Sequence, residues 1–178
     1  MKLTALIIKI ACFIAFSNAT TLQSVFDSSE PGDGYDKLVI LSPDVIYKGG
    51  IGVFEGNVLI DGQGAIIDLE EGSGIWIYAD ENYPANLDVK YCTIINGSYY
   101  GISFGGFATG KLTNCNFIRN NYGVTLYDFS NVEIKNSNLI ENLTYGVGIW
   151  TDNPICRINY TNAWGNGEAA WMENCPGW

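Results

Sequence analysis

The side chains in this sequence best suited to recognise a ligand are tyrosines that recur at one position of a repeat. Tyr100, Tyr122 and Tyr145 each stand directly before a glycine that opens a short apolar strand. An aromatic ring offers a flat apolar face to the CH groups of a sugar, and a phenol adds a hydroxyl for polar contacts. The three tyrosines therefore predict either a platform for carbohydrate or a stack that only stabilises turns.

A second set of aromatic residues follows the same strands. Tyr78, Tyr127 and Trp150 come after the apolar strand residues, and carboxylates lie close in sequence at Asp128 and Asp152. We expect these rings to point outward, where rings and carboxylates together could bind sugar hydroxyls. The two aspartates leave a calcium site open, but their spacing matches no established calcium loop, so we predict no metal centre and no other cofactor.

The composition excludes several kinds of chemistry. The chain contains no histidine, which removes a Cys-His nucleophile and any histidine metal site. Cys92 and Cys115 occupy the same repeat position, where parallel side chains do not converge as a disulfide requires, so we expect buried thiols there. Cys156 and Cys175 could form a disulfide that closes the last repeat, and the sequence leaves that pairing open.

Most of these residues belong to a repeat of 22 to 24 residues that runs through positions 87–171. It is centred on four apolar anchor positions: Ile94, Phe117, Leu139 and Ala163. The residue two places before each anchor is small, and the residue five places before it is aliphatic. Asn120, Asn142 and Asn166 lie three places after their anchors. Short alternating strands broken by asparagine and glycine at fixed offsets are typical of a solenoid.

The repeat favours an all-β parallel β-helix over the alternatives. Leucine-rich repeats have a similar period, but they need a Leu-x-x-Leu-x-Leu frame and a helix-forming half, which are missing. In a β-helix each coil lays its strands about 4.8 Å from those of the next coil, so that like residues bury one another. With a less regular copy over residues 58–77, we predict five to six coils.

A column of charges supports the alignment. The residues six places before the anchors alternate in sign: Asp88, Lys111, Glu133 and Arg157. Opposite charges on neighbouring strands attract, so we expect these side chains to pair between coils.

Residues 1–19 resemble a secretory signal peptide. Lys2 precedes an apolar run through Phe16, and Ser17-Asn18-Ala19 fits a cleavage site before Thr20. A membrane anchor is the alternative, but the run is short and Lys9 interrupts it. We therefore predict a secreted or cell-surface protein.

The mature chain is strongly acidic. Removal of residues 1–19 leaves seven basic against 19 acidic residues, a net charge of −12. Such a charge disfavours nucleic acids, anionic membranes and polyanionic sugars as partners. No later stretch is apolar and long enough to span a bilayer, so we expect no membrane insertion after cleavage.

The start of the mature chain carries a family resemblance. Residues 20–36 form a lead-in, with a candidate capping helix over 22–27, and residues 37–178 form the predicted β-helix domain. The order of that helix, Pro31-Gly32-Asp33, an apolar strand and the run over 57–68 resembles right-handed parallel β-helix proteins of the pectin lyase-like superfamily. The resemblance implies the fold but no single activity, because the superfamily includes hydrolases, lyases, epimerases and adhesins.

The catalytic motifs of that superfamily are not matched. Polygalacturonases carry acidic residues before the strand that begins here at Gly101, Gly123 and Gly146, and no acidic residue precedes these glycines. A lyase would need an Arg or Lys base beside an acidic calcium cluster. Arg119 and Lys90 are the nearest candidates, but no cluster accompanies them on an evident common face.

The sequence leaves three classes of function open: polysaccharide binding, a structural role and catalysis. The sequence favours an exported or cell-surface module that binds polysaccharide or has a structural role, and it leaves open a polysaccharide lyase or hydrolase with unusual catalytic residues. The last coil has no obvious capping helix, so end-to-end self-association is a further expectation. Trp164, Trp171 and Trp178 offer an alternative cover for that end.

Overall fold

The computed structural model of the protein describes residues 20–176, so the predicted signal peptide lies outside the described residues. The first element is helix α1 (Leu22–Ser28), as expected for a short N-terminal cap. The Thr21 hydroxyl accepts a hydrogen bond from the Ser24 amide and caps the helix, while Leu22 is fully buried. Among the described residues, no helix is both long and apolar enough to cross a membrane.

Eighteen strands follow, and they form six coils of three strands each. The first two coils contain β1 (Lys37–Ile40), β2 (Ile46–Lys48), β3 (Gly52–Val53), β4 (Gly56–Asp61), β5 (Ile66–Asp68) and β6 (Ile75–Ala79). The third and fourth coils contain β7 (Ala85–Lys90), β8 (Thr93–Ile95), β9 (Tyr100–Gly106), β10 (Thr109–Thr113), β11 (Asn116–Ile118) and β12 (Tyr122–Leu126). The fifth and sixth contain β13 (Asn131–Lys135), β14 (Asn138–Ile140), β15 (Tyr145–Ile149), β16 (Ile155–Asn159), β17 (Asn162–Trp164) and β18 (Ala169–Trp171).

The strands stack into three parallel sheets of six. Sheet 1 contains the first strand of every coil, from β1 to β16; sheet 2 contains the second, from β2 to β17; sheet 3 contains the third, from β3 to β18. Phe117 pairs with Ile94 on one side and with Leu139 on the other, which confirms the predicted register. The fold class is therefore confirmed, with six coils around one apolar core.

A ladder of asparagines, of which Asn120 and Asn142 are buried and Asn166 is half-buried, joins the coils at the corner after sheet 2. The Asn120 backbone N–H donates to the Asn142 side-chain oxygen at 3.0 Å, and the Asn142 backbone N–H donates to the Asn166 side-chain oxygen at 3.0 Å. The Asn142 side-chain nitrogen also donates to the Phe117 carbonyl at 3.2 Å. Each amide side chain thus satisfies backbone groups that the turn leaves without a strand partner.

The corners also impose an unusual backbone on fixed positions. Asn114 and Asn136 follow sheet 1 with φ of 55° and 49°, and Arg119 and Glu141 follow sheet 2 with φ of 57° and 53°. Asparagine tolerates this left-handed region well, whereas arginine and glutamate tolerate it poorly. The stacked neighbours therefore hold the corner shape against local preference.

The expected pairing of the charged column is wrong, although its register is right. Lys111 pairs with Glu133, and Glu133 with Arg157, along the backbone. The Asp88 carboxylate instead accepts hydrogen bonds from the Lys111 amide and the Tyr35 hydroxyl. The salt bridges among the described residues join other side chains of adjacent coils: Lys48–Glu70, Lys90–Asp61 and Arg119–Glu141.

The four cysteines in residues 20–176 are all free thiols. Cys92 and Cys115 are buried, as expected. Cys156 and Cys175, whose pairing the sequence left open, are both free in the structure, and the Cys175 thiol donates to the Val147 carbonyl at 3.3 Å. Forming the disulfide would require that thiol to leave its carbonyl partner.

The asparagine ladder yields a stability prediction. Replacing Asn142 by Ala should lower the free energy of unfolding by about 2–4 kcal/mol, because the Asn120 amide and the Phe117 carbonyl lose their buried partner. Urea unfolding followed by circular dichroism measures the change. The matched control is Asn116→Ala, which removes half-buried side-chain bonds that water can replace and should cost less than about 1 kcal/mol. Equal losses for the two variants would contradict the role of the ladder.

The thiols predict a pH dependence of stability. Burial raises the pKa of Cys92 well above its ordinary value, that of Cys115 to about 11 and that of Cys156 to about 12. In the folded chain the pKa of these thiols lies above the ordinary value of 9.0, which applies in the unfolded chain. The folded chain therefore binds their protons more tightly. The stability that they contribute is complete below pH 9 and is lost as pH rises toward 11 or 12.

Urea unfolding at about pH 8 and about pH 10 tests this dependence. The wild type should lose stability over that interval, and Cys115→Ala should lose less, because one group that must stay protonated has been removed. An unchanged difference between the two pH values in Cys115→Ala would show that this thiol does not contribute.

Candidate functional site

The outer face of sheet 3 carries most of the predicted site residues. In β6, Ile75 and Ile77 are fully buried, whereas Trp76 and Tyr78 are 42% and 41% exposed, so alternation along the strand sends the aromatic rings outward. We call the aromatic residues along this face the aromatic strip: Phe54, Trp76, Tyr78, Tyr100, Tyr122, Tyr127, Tyr145 and Trp150.

At the C-terminal end of the strip four rings form one contiguous cluster. The Tyr122 ring stacks on Tyr145 with centroids 6.0 Å apart and meets Trp150 edge-on at 5.6 Å. Trp150 lies parallel to Tyr127, with an interplanar angle of 2° and centroids 6.2 Å apart. The structure thus brings members of both predicted aromatic sets together: Tyr122 and Tyr145 from the first, and Tyr127 and Trp150 from the second. Trp150 remains 44% exposed.

At the N-terminal end a second group of rings surrounds Trp76. Phe54 meets Trp76 edge-on at 5.3 Å, and Trp76 lies 6.2 Å from Tyr78. Of these only Tyr78 is among the predicted site residues. The alternation of Ile75–Ala79 is a signal that could have identified Trp76, whereas Phe54 belongs to the irregular first coil and has no such signal.

Glycines in the sheet let two of the rings pack against its outer face. A Cβ added to Gly148 would lie 3.1 Å from Cδ1 of Tyr122, and one added to Gly105 would lie 3.3 Å from Cδ2 of Tyr78. Glycine weakens a strand interior, and it often marks a place where another group approaches the backbone closely. Here that group is the aromatic ring of the preceding coil.

Tyr100 departs from the predicted three-ring ladder. Its backbone pairs with Tyr122 as expected, but its ring fills the space beside Gly74 in the preceding coil. Among the ring pairs found in residues 20–176, Tyr100 has no stacked partner. Burial raises the pKa of its phenol above the ordinary value of 10.0.

The carboxylates near the strip differ in their surroundings. Asp128 adopts a φ of 56°, and its side chain accepts a hydrogen bond from the Gly106 amide at 2.9 Å, so it fixes the turn after β12. Asp152 lies exposed in the turn after β15. In the described part of the chain, no three His, Cys, Asp or Glu side chains gather in a group that could hold a metal ion.

A cleft of about 820 Å³ extends the strip toward the corner between sheets 3 and 1. Its apolar lining comes mainly from Phe26, Phe54, Tyr78, Tyr83 and Pro84. The Asp80 side chain shapes one wall by accepting hydrogen bonds from the Asn82 and Tyr83 amides at 2.7 and 2.9 Å. The insertion between β6 and β7 therefore builds a concave end to an otherwise open face.

A separate depression of about 590 Å³ lies at the corner between sheets 2 and 3. Asp68, Glu70 and Glu71 line it together with Arg119, but in the described part of the chain they do not form a group that could hold a metal ion. Turns bring these residues together from coils 2 and 4, which linear spacing does not reveal. Arg119 is paired with Glu141 at 3.0 Å, and Lys90 lies elsewhere, paired with Asp61.

Comparison with known proteins identifies the family. A family model described as a right handed beta helix region matches residues 44–174, which include every residue of the aromatic strip. No curated protein and no solved structure matches the chain. The match covers most of the sequence, and the described residues form the parallel solenoid that it requires. The chain therefore belongs to the right-handed β-helix family.

Proposed function

We propose that the protein binds a neutral polysaccharide along the aromatic strip and that it is exported to do so. The observation that carries the proposal is the gathering of exposed rings on one sheet face, including Trp76, Tyr78 and Trp150. Other large apolar residues are also exposed, such as Leu143 and Trp164, but rings that contact one another along one sheet face are typical of a binding surface.

The geometry suits an extended ligand. The rings of the strip occur in coils 1 to 5, and three coil spacings between Trp76 and Trp150 separate them by roughly 14 Å. Rings held along one face can each cover the apolar side of a sugar unit, while tyrosine hydroxyls remain available for hydrogen bonds. The cleft beside Tyr83 offers a concave end for such a chain.

Charge favours a neutral glycan over a polyuronate. The carboxylates of Asp80, Asp128 and Asp152 follow the strands of the strip. Lys37 lines the cleft, and its ammonium donates to the Phe26 carbonyl at 2.8 Å. The net charge of −10 for the whole sequence, which becomes −12 without residues 1–19, opposes a polyanion further. The signal-peptide pattern of residues 1–19 supports an extracellular site of action, where polysaccharide is available.

Native gel electrophoresis through soluble polysaccharides tests the proposal. Residues 20–178 would be run through gels containing a glucan, a mannan, a xylan or a galactan, with polygalacturonate as the anionic comparator. We expect at least one neutral polymer to retard the wild type. Trp150→Ala should reduce that affinity about tenfold or more, because it removes an exposed ring and the support of Tyr127.

The matched control is Trp164→Ala. Trp164 is 65% exposed but lies on sheet 2, away from the strip, so this variant should bind like the wild type. Equal losses in both variants would contradict a site on sheet 3. If no polymer retards the wild type and Tyr122→Ala only lowers thermal stability, the rings serve the solenoid alone and the binding proposal fails.

The alternative function, a polysaccharide lyase, is favoured by one observation. Arg119, a candidate base, shares a depression with the carboxylates of Asp68, Glu70 and Glu71, although no three such side chains among the described residues are arranged to hold a metal ion. Incubation with polygalacturonate and with each neutral polymer, in the presence of calcium, should release no unsaturated or reducing ends if the protein only binds. Product release that disappears in Arg119→Ala would establish the enzyme and overturn the binding-only proposal.

A further inference from the structure

Thr125 has a polar group that the fold does not use. Its side chain is 1% exposed, and its hydroxyl has no hydrogen-bond partner. The flanking residues Val124 and Leu126 are fully buried in the core, so alternation along β12 sends the Thr125 side chain to the outer face of sheet 3. Thr125 therefore lies on an outer face and is nevertheless as buried as a core residue.

The strand register shows that its neighbours in the sheet cannot cover it. Thr125 stands between Ser103 of β9 and Gly148 of β15, and Ser103 in turn stands beside Trp76 of β6. Trp76 is exposed, which confirms that this column faces outward. Ser103 and Gly148 are too small to bury a threonine side chain, so larger groups must lie over it.

Rings of the aromatic strip are the groups in position to do so. Tyr122 lies at the start of the same strand, and its ring packs against Gly148, the neighbour of Thr125. Tyr127 lies two residues after Thr125 on the same face. The rings of Tyr122 and Tyr127 both contact Trp150, with centroids 5.6 and 6.2 Å away, so both rings lie over this part of the sheet.

We propose that the Thr125 hydroxyl is the polar contact of the glycan site, covered by tyrosine rings in the free protein and reached by a sugar hydroxyl when those rings turn aside. This inference rests on the proposed function and adds to it a specific hydrogen-bonding residue. A buried hydroxyl without a partner destabilises the folded chain, and a sugar hydroxyl can both donate to it and accept from it.

The movement that the proposal requires is small. Tyr122 and Tyr127 are only partly buried, and surface side chains change rotamer on the picosecond to nanosecond scale without disturbing the strand. A displaced ring remains beside the sugar and can stack on its apolar face. Binding thereby gives Thr125 the partner that the free protein lacks.

The test compares Thr125→Val with Thr125→Ser, using the neutral polysaccharide that retards the wild type most. Thr125→Val removes the hydroxyl at nearly constant shape and should weaken binding about tenfold, the effect of one lost hydrogen bond. Thr125→Ser keeps the hydroxyl and should bind within about threefold of the wild type. The melting temperature of Thr125→Val should equal or exceed that of the wild type, because no hydrogen bond in the free protein is lost.

Ser130→Ala is the matched control. Within residues 20–176, Ser130 has the second buried hydroxyl without a partner, but it lies in the turn before β13 and not under the strip. This variant should also keep its stability, and it should bind like the wild type. Tighter binding by the wild type than by Thr125→Val, with Ser130→Ala unchanged, supports the inference.

Two outcomes overturn it, and they are distinguishable. If the wild type binds, Trp150→Ala binds at least about tenfold more weakly and Thr125→Val binds normally, then the aromatic strip is the binding surface and the Thr125 contact is wrong. If the wild type binds no polymer of the set, the proposed function and this inference fall together. A lower melting temperature in Thr125→Val would show that the hydroxyl has a partner within the folded chain and would also contradict the inference.

Discussion

The structure depends on the fact that no coil is complete without its neighbours. A single coil of 22 to 24 residues leaves its strands unpaired and its apolar side chains half covered, and the next coil supplies both. At the corner after sheet 2 the same dependence is concentrated in Asn120, Asn142 and Asn166, whose amides bond from coil to coil inside the protein. A shift of one residue in any coil would break this ladder and turn apolar side chains outward.

The outer face of sheet 3 is free to vary because the core and the corners carry the stability. Its inward residues, such as Ile102, Val124 and Val147, match from coil to coil, while the outward residues range from tryptophan to glycine. Gly105 and Gly148 weaken their strands, yet they let Tyr78 and Tyr122 lie close to the sheet. This combination of exposed rings and small neighbours is the basis of the proposed binding surface.

The sequence could predict whatever repeats. The anchor positions, the small residues before them and the asparagines after them are visible as columns, and each column became a stacked row. Contacts that depend on the direction of individual side chains could not be predicted from the repeat. The rotation of Tyr100 toward Gly74, the capture of Asp88 by Tyr35 and the shared depression of Arg119 and Asp68 all join residues from different coils. The covered hydroxyl of Thr125 is invisible in sequence, because threonine is an ordinary residue for a strand.

The most direct test of a polysaccharide-binding site on the outer face of sheet 3 is to map the bound polysaccharide onto the surface by backbone amide chemical shifts. Residues 20–178 would be labelled with nitrogen-15 and titrated with short fragments of the polymer that binds best. We predict that the shifted amides lie in β6, β9, β12 and β15, around the aromatic strip, while sheets 1 and 2 stay unchanged. Shifts confined to the depression around Arg119, or to sheet 2 around Trp164, would contradict a binding site on the outer face of sheet 3.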